Sequence, residues 1–347
     1  MLLTGFQLPP EWGEITDKAV SHRIINNCGD NFCLTQGEND MVATYRRYNV
    51  NDYDRAFNFF RHLYRVSDTV PFWLPARWEY AEYLVSPLHK HRGYSNDWKE
   101  TIYLWETDAG EIVAILCAEN PDENIFLHTK PDCRNLEEEM VRVAEEQIIC
   151  RTLRKSEIDI WCQNGDIYRE AILQKRGYRK KEDVEYLNWR DLREPLPEVK
   201  MPGGFTLHNM VSEEGLDLQH KIDQGTGAFD SPTYPIEIYR NMQRGPSYRK
   251  EFDLYATDSD GTVSSSCIIW YDEELNIGYF EPVSTDAKHR RKGLGRATLN
   301  AGLQCLKQAG VSKAYVGSTG DERRAFYNAS GFVNSVAFHP WMRELEK

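Results

Sequence analysis

Apolar and polar residues alternate between two periods along this chain. Residues 54–65 (DRAFNFFRHLYR) and 77–84 (RWEYAEYL) read as helices, and TIYLWE, EIVAILCAE and NIFLHT that follow read as strands. A helix over 136–153 (LEEEMVRVAEEQIICRTL), a strand IDIWC and a helix ending in Gly177 and Tyr178 complete the series. After residue 204 the same order returns. A short strand FTLHNM precedes helices over 216–224 and 234–242, then strands FDLYAT, TVSSSCIIWY and NIGYFEPV, a helix GRATLNAGLQCLKQAG, a strand KAYVGS and a helix ending in Gly331 and Phe332. The first half opens the same way, with TYRRYN ahead of its helices. Asn124 and Asn276 stand 152 residues apart, and Tyr178 and Phe332 stand 154 apart. Such a spacing points to duplication of a whole domain and is far too long for a solenoid repeat.

The break between the halves is REPLPEVKMPGG, residues 193–204, where Pro195, Pro197 and Pro202 remove backbone donors and two glycines loosen the chain. The pattern therefore predicts an α/β chain with an N-terminal extension (1–43), a first domain (44–192), a linker (193–204) and a second domain (205–347). No functional reading attaches to the extension.

The bulk composition narrows the function. With 347 residues, 41% of them hydrophobic, there is material for two cores. An excess of 54 acidic over 42 basic residues argues against general nucleic-acid binding, which needs surplus positive charge on some face. The eight cysteines (28, 33, 117, 133, 150, 162, 267 and 305) show no zinc-ligand spacing, and several sit in apolar runs as small core residues, so no metal is expected. MLLTGFQLPPEW lacks a basic segment followed by a long apolar one, and no run approaches the roughly 20 apolar residues of a membrane span. These features predict a soluble, cytoplasmic protein without a membrane partner. Nothing in the sequence points to an oligomeric state.

One stretch runs against the acidic balance. HRRKGLGRATL (289–299) gathers basic residues around two glycines between a strand and a helix. At a helix start the first backbone N–H groups have no partner within the helix, and the helix dipole adds partial positive charge. Gly293 and Gly295 leave those amides open, while Arg290, Arg291, Lys292 and Arg296 add charge nearby, so a phosphate or pyrophosphate is the natural ligand. A P-loop signature is missing, and the dinucleotide fingerprint fails because its third glycine position is Thr298.

Arg290-x-x-Gly293-x-Gly295 resembles the [Q/R]-x-x-G-x-[G/A] signature of the GNAT superfamily of N-acetyltransferases. EPVSTDAKH resembles that family's fourth strand, and ERRAFYNASGF the helix after its fifth. The likeness covers the second half; the first half resembles GNAT domains in its order of elements and in RGY. It implies two tandem GNAT-like domains, each a mixed, mostly antiparallel sheet flanked by helices, with acetyl-CoA or another acyl-CoA as co-substrate. The pyrophosphate would rest on the turn formed by Arg290, Arg291, Lys292, Gly293, Leu294, Gly295 and Arg296. The pantetheine arm would run along Val283, Ser284 and Thr285.

The same resemblance implies Glu281 as the base that takes a proton from an amine and Tyr327 as the acid for the leaving sulfur. Asp230 and Tyr234, in FDSPTYP between two helices, are the expected acceptor-site residues for a small primary amine. One departure stands out: many GNAT members carry Asn seven residues before this tyrosine, where this chain has Gly320, leaving Ser318, Thr319 or Asp321 to hold the arm. His289 and His339 are the histidines that could be proposed as bases, but neither has a visible partner in the sequence and both are read as structural or solvated.

The corresponding turn of the first half, PDCRNLEEEM, has no glycine and puts Glu137, Glu138 and Glu139 in the first helical turn, where they suit the dipole and repel a pyrophosphate. Residues 1–199 carry a net charge of −10 and 200–347 only −2. The first half is thus expected to be a degenerate copy that supports the second and offers one wall of the acceptor cleft, with the aromatic run 71–83 (PFWLPARWEYAEY) a candidate lining whose rings pack chiefly in the core or between the domains. Two other readings stay open at this point: a non-catalytic acyl-CoA-binding sensor or scaffold protein, and a peptidyl or aminoacyl transferase, which the acidic surface and the intact turn disfavour.

Overall fold

A computed structural model of the chain describes residues 43–94, 96–119 and 124–345. Residues 1–42 of the expected extension, with Cys28 and Cys33, lie outside the described residues. The strands in chain order are β1 (Ala43–Arg47), β2 (Tyr103–Thr107), β3 (Ile112–Ala118), β4 (Asn124–Thr129), β5 (Glu157–Gln163), β6 (Arg179–Lys180), β7 (Glu185–Asp191), β8 (Thr206–Asn209), β9 (Tyr248–Thr257), β10 (Val263–Asp272), β11 (Ile277–Thr285), β12 (Lys313–Thr319) and β13 (Asn334–Glu344). The helices are α1 (Tyr53–Val66), α2 (Pro75–Tyr80), α3 (Ser86–His91), α4 (Glu137–Val143), α5 (Ile167–Lys175), α6 (Leu218–Gly227), α7 (Ile236–Met242), α8 (Leu294–Gln308) and α9 (Gly320–Asn328). Wider π-type turns extend α2 through Ala81–Val85 and α4 through Ala144–Leu153.

The amphipathic pattern explains the helices. In α1, Ala56, Phe57, Phe60 and Leu63 fall on one face and are buried. Asp52 stands at its start, paired with Arg46 and Arg55, and extended Ser67 stops it. In α8, Leu294, Ala297, Thr298, Ala301 and Leu306 are among the residues turned into the core.

The two halves repeat one sheet order. β1-β2-β3-β4-β5 and β8-β9-β10-β11-β12 are neighbours in the same sequence, with antiparallel pairs throughout except the parallel pairs β4/β5 and β11/β12. Each parallel pair is bridged by the long helix of its half, as a crossover connection requires. The sequence pattern predicted these elements but passed over the last strand of each half.

Those last strands trade places. β7, from the first half, pairs with β12 of the second from Glu185↔Thr319 to Asp191↔Lys313. β13, from the second half, inserts beside β5 of the first from Phe338↔Gln163 to Glu344↔Glu157 and pairs with β7 on its other edge. The two patterns therefore merge into one mixed, mostly antiparallel sheet, 13-stranded among the described residues. Asn188 Nδ2 ties the exchanged strand down, donating to Val316 O at 3.1 Å and Ser318 Oγ at 2.9 Å.

On one face of the sheet the core is continuous across the halves. It joins Phe57, Phe60, Trp73, Trp78 and Phe126 to Met242, Trp270, Tyr279, Tyr315 and Phe338. Phe72 stacks on Phe338 with ring centroids 4.0 Å apart, and Tyr64 Oη meets Tyr315 Oη at 2.8 Å. The opposite face carries separate cores beneath α4 and beneath α8. Segment 193–204 is irregular, and α8 docks it: Lys307 Nζ donates to Glu194 O at 2.9 Å and Asn300 Nδ2 to Glu198 O at 3.3 Å.

Candidate active site

The site begins with a fault in the sheet. Cys267 pairs with Val283 and Ile269 with Phe280, so Glu281 and Pro282 together face the single residue Ile268. This bulge, containing a proline that cannot donate, bends β11. The parallel pairing with β12 ends at Phe280↔Val316. Beyond that point the strands part, and the edge of Val283, Ser284 and Thr285 no longer pairs with β12.

The opening leads into a cavity of about 1220 Å³. Its walls come from β11, the turn before α8, the end of β12, α9, the α6–α7 connection and, from the first half, Tyr80, Leu84, Leu88, Arg92 and Glu185. Every residue assigned from the sequence to the cofactor turn, the strand edge, proton transfer and the acceptor lines it except Lys292, whose Nζ lies 3.5 Å from His289 Nδ1. Ser318 and Thr319 also line it; Asp321 accepts from Tyr186 Oη at 3.2 Å, and His339 lies elsewhere, on β13.

At the turn, Gly293 has φ +85° and Arg291 φ +62°, two left-handed positions within three residues. They let the backbone N–H groups of residues 291–296 stand without a hydrogen-bond partner among the described residues, the first bond of α8 being Ala297 N to Gly293 O at 3.0 Å. Gly295 has a different reason: a Cβ there would sit 2.5 Å from Thr285 Oγ1, so only glycine lets α8 start against the end of β11. Arg291, Lys292 and Arg296 are exposed and form no ion pair among the described residues. Arg290 is used differently, its Nη2 donating to Ala228 O at 2.8 Å and its Nε to Thr285 O at 3.3 Å, which clips α6 to β11. Unpartnered amides, two unpaired guanidiniums and a free strand edge form a continuous track suited to a diphosphate with an amide-bearing arm.

The matching turn of the first half is filled by the protein itself. Glu137, buried at the start of α4, accepts from Arg134 Nε at 2.9 Å and Arg169 Nε at 3.0 Å, and Arg134 also pairs with Asp166 at 2.7 Å. Burial works to raise the Glu137 carboxyl, but Arg169 and Arg134 hold it below its ordinary range. An internal anion thus occupies the helix mouth.

Where the cavity meets the bulge, the Glu281 carboxyl is enclosed, and its Oε2 is buried without a hydrogen-bond partner. Burial pushes this carboxyl up to about 8; Arg77 pulls it down, while Glu119 and Glu185 push further up. The Tyr327 hydroxyl is also raised, by burial first and by the negative charge of Glu281 second, so it stays protonated at neutral pH. A carboxyl with one unpartnered oxygen and a protonated phenol on one cavity give the elements of proton transfer in both directions. Asp230, with φ +52°, and Tyr234 lie on the same cavity at the α6–α7 connection. Of the aromatic run 71–83, Trp73 and Trp78 are fully buried and Tyr80 reaches the cavity.

Sequence reasoning offered Tyr80 only as one ring of the run 71–83 that could line the cleft, and it did not single out Arg77, Glu185, Tyr279 or Arg323. No local motif marks them, since they reach the site through helix packing and strand exchange.

A mixed, mostly antiparallel sheet flanked by helices, split at a bulge above an open helix mouth, is GNAT-like architecture. Residues 221–332 match the model of the Acetyltransferase (GNAT) family. Among solved structures, a GCN5-related N-acetyltransferase from Sphaerobacter thermophilus is similar at a TM-score of 0.62 and 16% identity, over 88% of this chain and 96% of that one. A tandem GNAT protein from the clavulanic acid biosynthesis pathway is similar at 0.61 and 12%, over 88% and 99%. A GNAT-family acetyltransferase from Colwellia psychrerythraea is similar at 0.55 and 9%, over 87% and 100%. At these identities the likeness is one of fold. No curated protein matches the sequence. Among the described residues no helix is long and apolar enough to cross a membrane.

Proposed function

We propose that the chain is an acyl-CoA-dependent N-acetyltransferase that acetylates a small primary amine. Residues 205–347 form its catalytic domain, residues 44–192 a degenerate copy without a cofactor turn, and residues 193–204 the linker. The observation that supports this best is the pairing of unpartnered amides and unpaired guanidiniums at the mouth of α8 with a free strand edge that ends at Glu281 and faces Tyr327.

Acetyl-CoA supplies the acetyl group as a thioester. The amides of residues 291–296, with Arg291 and Arg296, hold its diphosphate. The edge of Val283, Ser284 and Thr285 orients the pantetheine arm as an added strand, and the backbone amide near Val283 polarises the reacting carbonyl. Glu281 takes a proton from the acceptor nitrogen, directly or through water, and the Tyr327 hydroxyl gives one to the departing sulfur. Asp230 and Tyr234 border the acceptor.

Thiol release from acetyl-CoA across a panel of primary amines, run beside calorimetry of acetyl-CoA binding, tests the reading. Binding with amine-dependent release supports it. Binding without release favours an acyl-CoA sensor, and no binding removes the assignment.

A further inference from the structure

Four charged side chains drawn from both halves meet behind the bulge. Arg77, on α2 and buried, donates through Nε and Nη2 to both oxygens of Glu119 at 2.8 and 2.7 Å, and through Nη1 to Glu185 Oε1 at 3.0 Å. Glu185 opens β7 and lines the cavity beside Glu281. Its position there follows from the strand exchange, because β7 paired with β5 of its own half would not lie next to β12. The groups facing Glu281 are Arg77 and Tyr80 from α2, Glu119 after β3, Glu185 from β7, Tyr279 from its own strand and Tyr327 from α9. Burial keeps all three tyrosines neutral. The cluster therefore sets one guanidinium against three carboxyls, and one carboxyl oxygen, Glu281 Oε2, is buried and unpaired.

Buried carboxylates with too little positive charge either keep a proton or bind a cation. We propose that Arg77 and Glu185 are positioning residues for Glu281, and that the two carboxyls on the cavity, Glu185 and Glu281, seat the acceptor's ammonium, whose charge offsets part of what the cluster lacks, while Glu119 adds negative charge from behind Arg77. The first half thereby becomes a working part of the catalytic centre. The inference rests on the cleft being the acetyl-transfer site.

The test follows the carbon resonances of ¹³C-carboxyl-labelled glutamates in the full chain from pH 5 to 10. One resonance, missing in Glu281→Gln, is expected to titrate near pH 8. Glu185→Gln removes a neighbouring negative charge and should lower that midpoint by about one unit, and n-butylammonium should lower it in the wild type while n-butanol leaves it in place. Glu119→Gln should act in the same direction and stands in if Glu185→Gln does not fold. An unmoved or raised midpoint in a folded variant overturns the inference, as does indifference to n-butylammonium. A purely structural role for Glu185 would lower activity without moving the titration. Loss of turnover in Glu281→Gln with an unshifted midpoint in Glu185→Gln sinks this inference and leaves acetyl transfer standing. Shifted midpoints with no heat from acetyl-CoA sink the acetyl-transfer reading and with it the ammonium's role as acceptor, leaving only the coupling of Glu185 to Glu281.

Discussion

Raising the pH from 7 to 9 should increase kcat/KM by roughly tenfold through Glu281 alone. Its carboxyl, pushed up to about 8, is ionised in about one molecule in eleven at pH 7 and about ten in eleven at pH 9, and only the ionised form accepts a proton. At the ordinary carboxyl value of 4.5 the same group would be ionised throughout and would contribute no rise. The assay is thiol release from acetyl-CoA at constant ionic strength and subsaturating acceptor, because kcat/KM reports the free enzyme. The acceptor amine adds its own limb as it loses its proton, and that limb persists in Glu281→Gln. The difference between the two profiles therefore belongs to Glu281. Glu281→Gln should also lower kcat/KM at pH 9 by about 10² to 10⁴ fold. Profiles of identical shape for the two proteins would refute the role given to this carboxyl.

The same shift bears on stability. Between pH 4.5 and about 8 the folded chain keeps a proton on Glu281 that the unfolded chain releases, so stability should fall as pH rises through that window, and melts of Glu281→Gln should lose that part of the slope. Reversing the charge of both Arg291 and Arg296 should raise KM for acetyl-CoA at least about tenfold with a much smaller change in kcat, and the wild-type affinity should weaken with added salt. Gly295→Val places its Cβ 2.5 Å from Thr285 Oγ1, so it should cost about 1–3 kcal/mol in a thermal melt and abolish acetyl-CoA binding. A fragment of residues 205–347 leaves β12 without its partner β7 and sends β13 out with no β5 to join, so it should fail to give a cooperative melt where the full chain melts in one transition.

Local pattern determined much of this protein. The helical stripe of α1, the apolar runs of β3 and β10, and the repeated order of elements were legible because side-chain periodicity reflects nearest-neighbour backbone geometry. The cofactor turn was legible for the same reason: Gly293, Gly295 and the surrounding arginines act within a few residues of one another. The final strands were not. β7 carries buried Asn188 and Arg190 among its apolar positions, and β13 contains Pro340, so neither shows the clean alternation of a half-buried strand. Their exchange, which delivers Glu185 to the second half's cleft, depends on pairing between strands of different halves, and the charge balance around Glu281 depends on contacts among residues 77, 119, 185 and 281. Which residues share a low-dielectric pocket is decided by packing across the whole sheet, and burial in that packing is what pushes the carboxyl of a strand glutamate up to about 8.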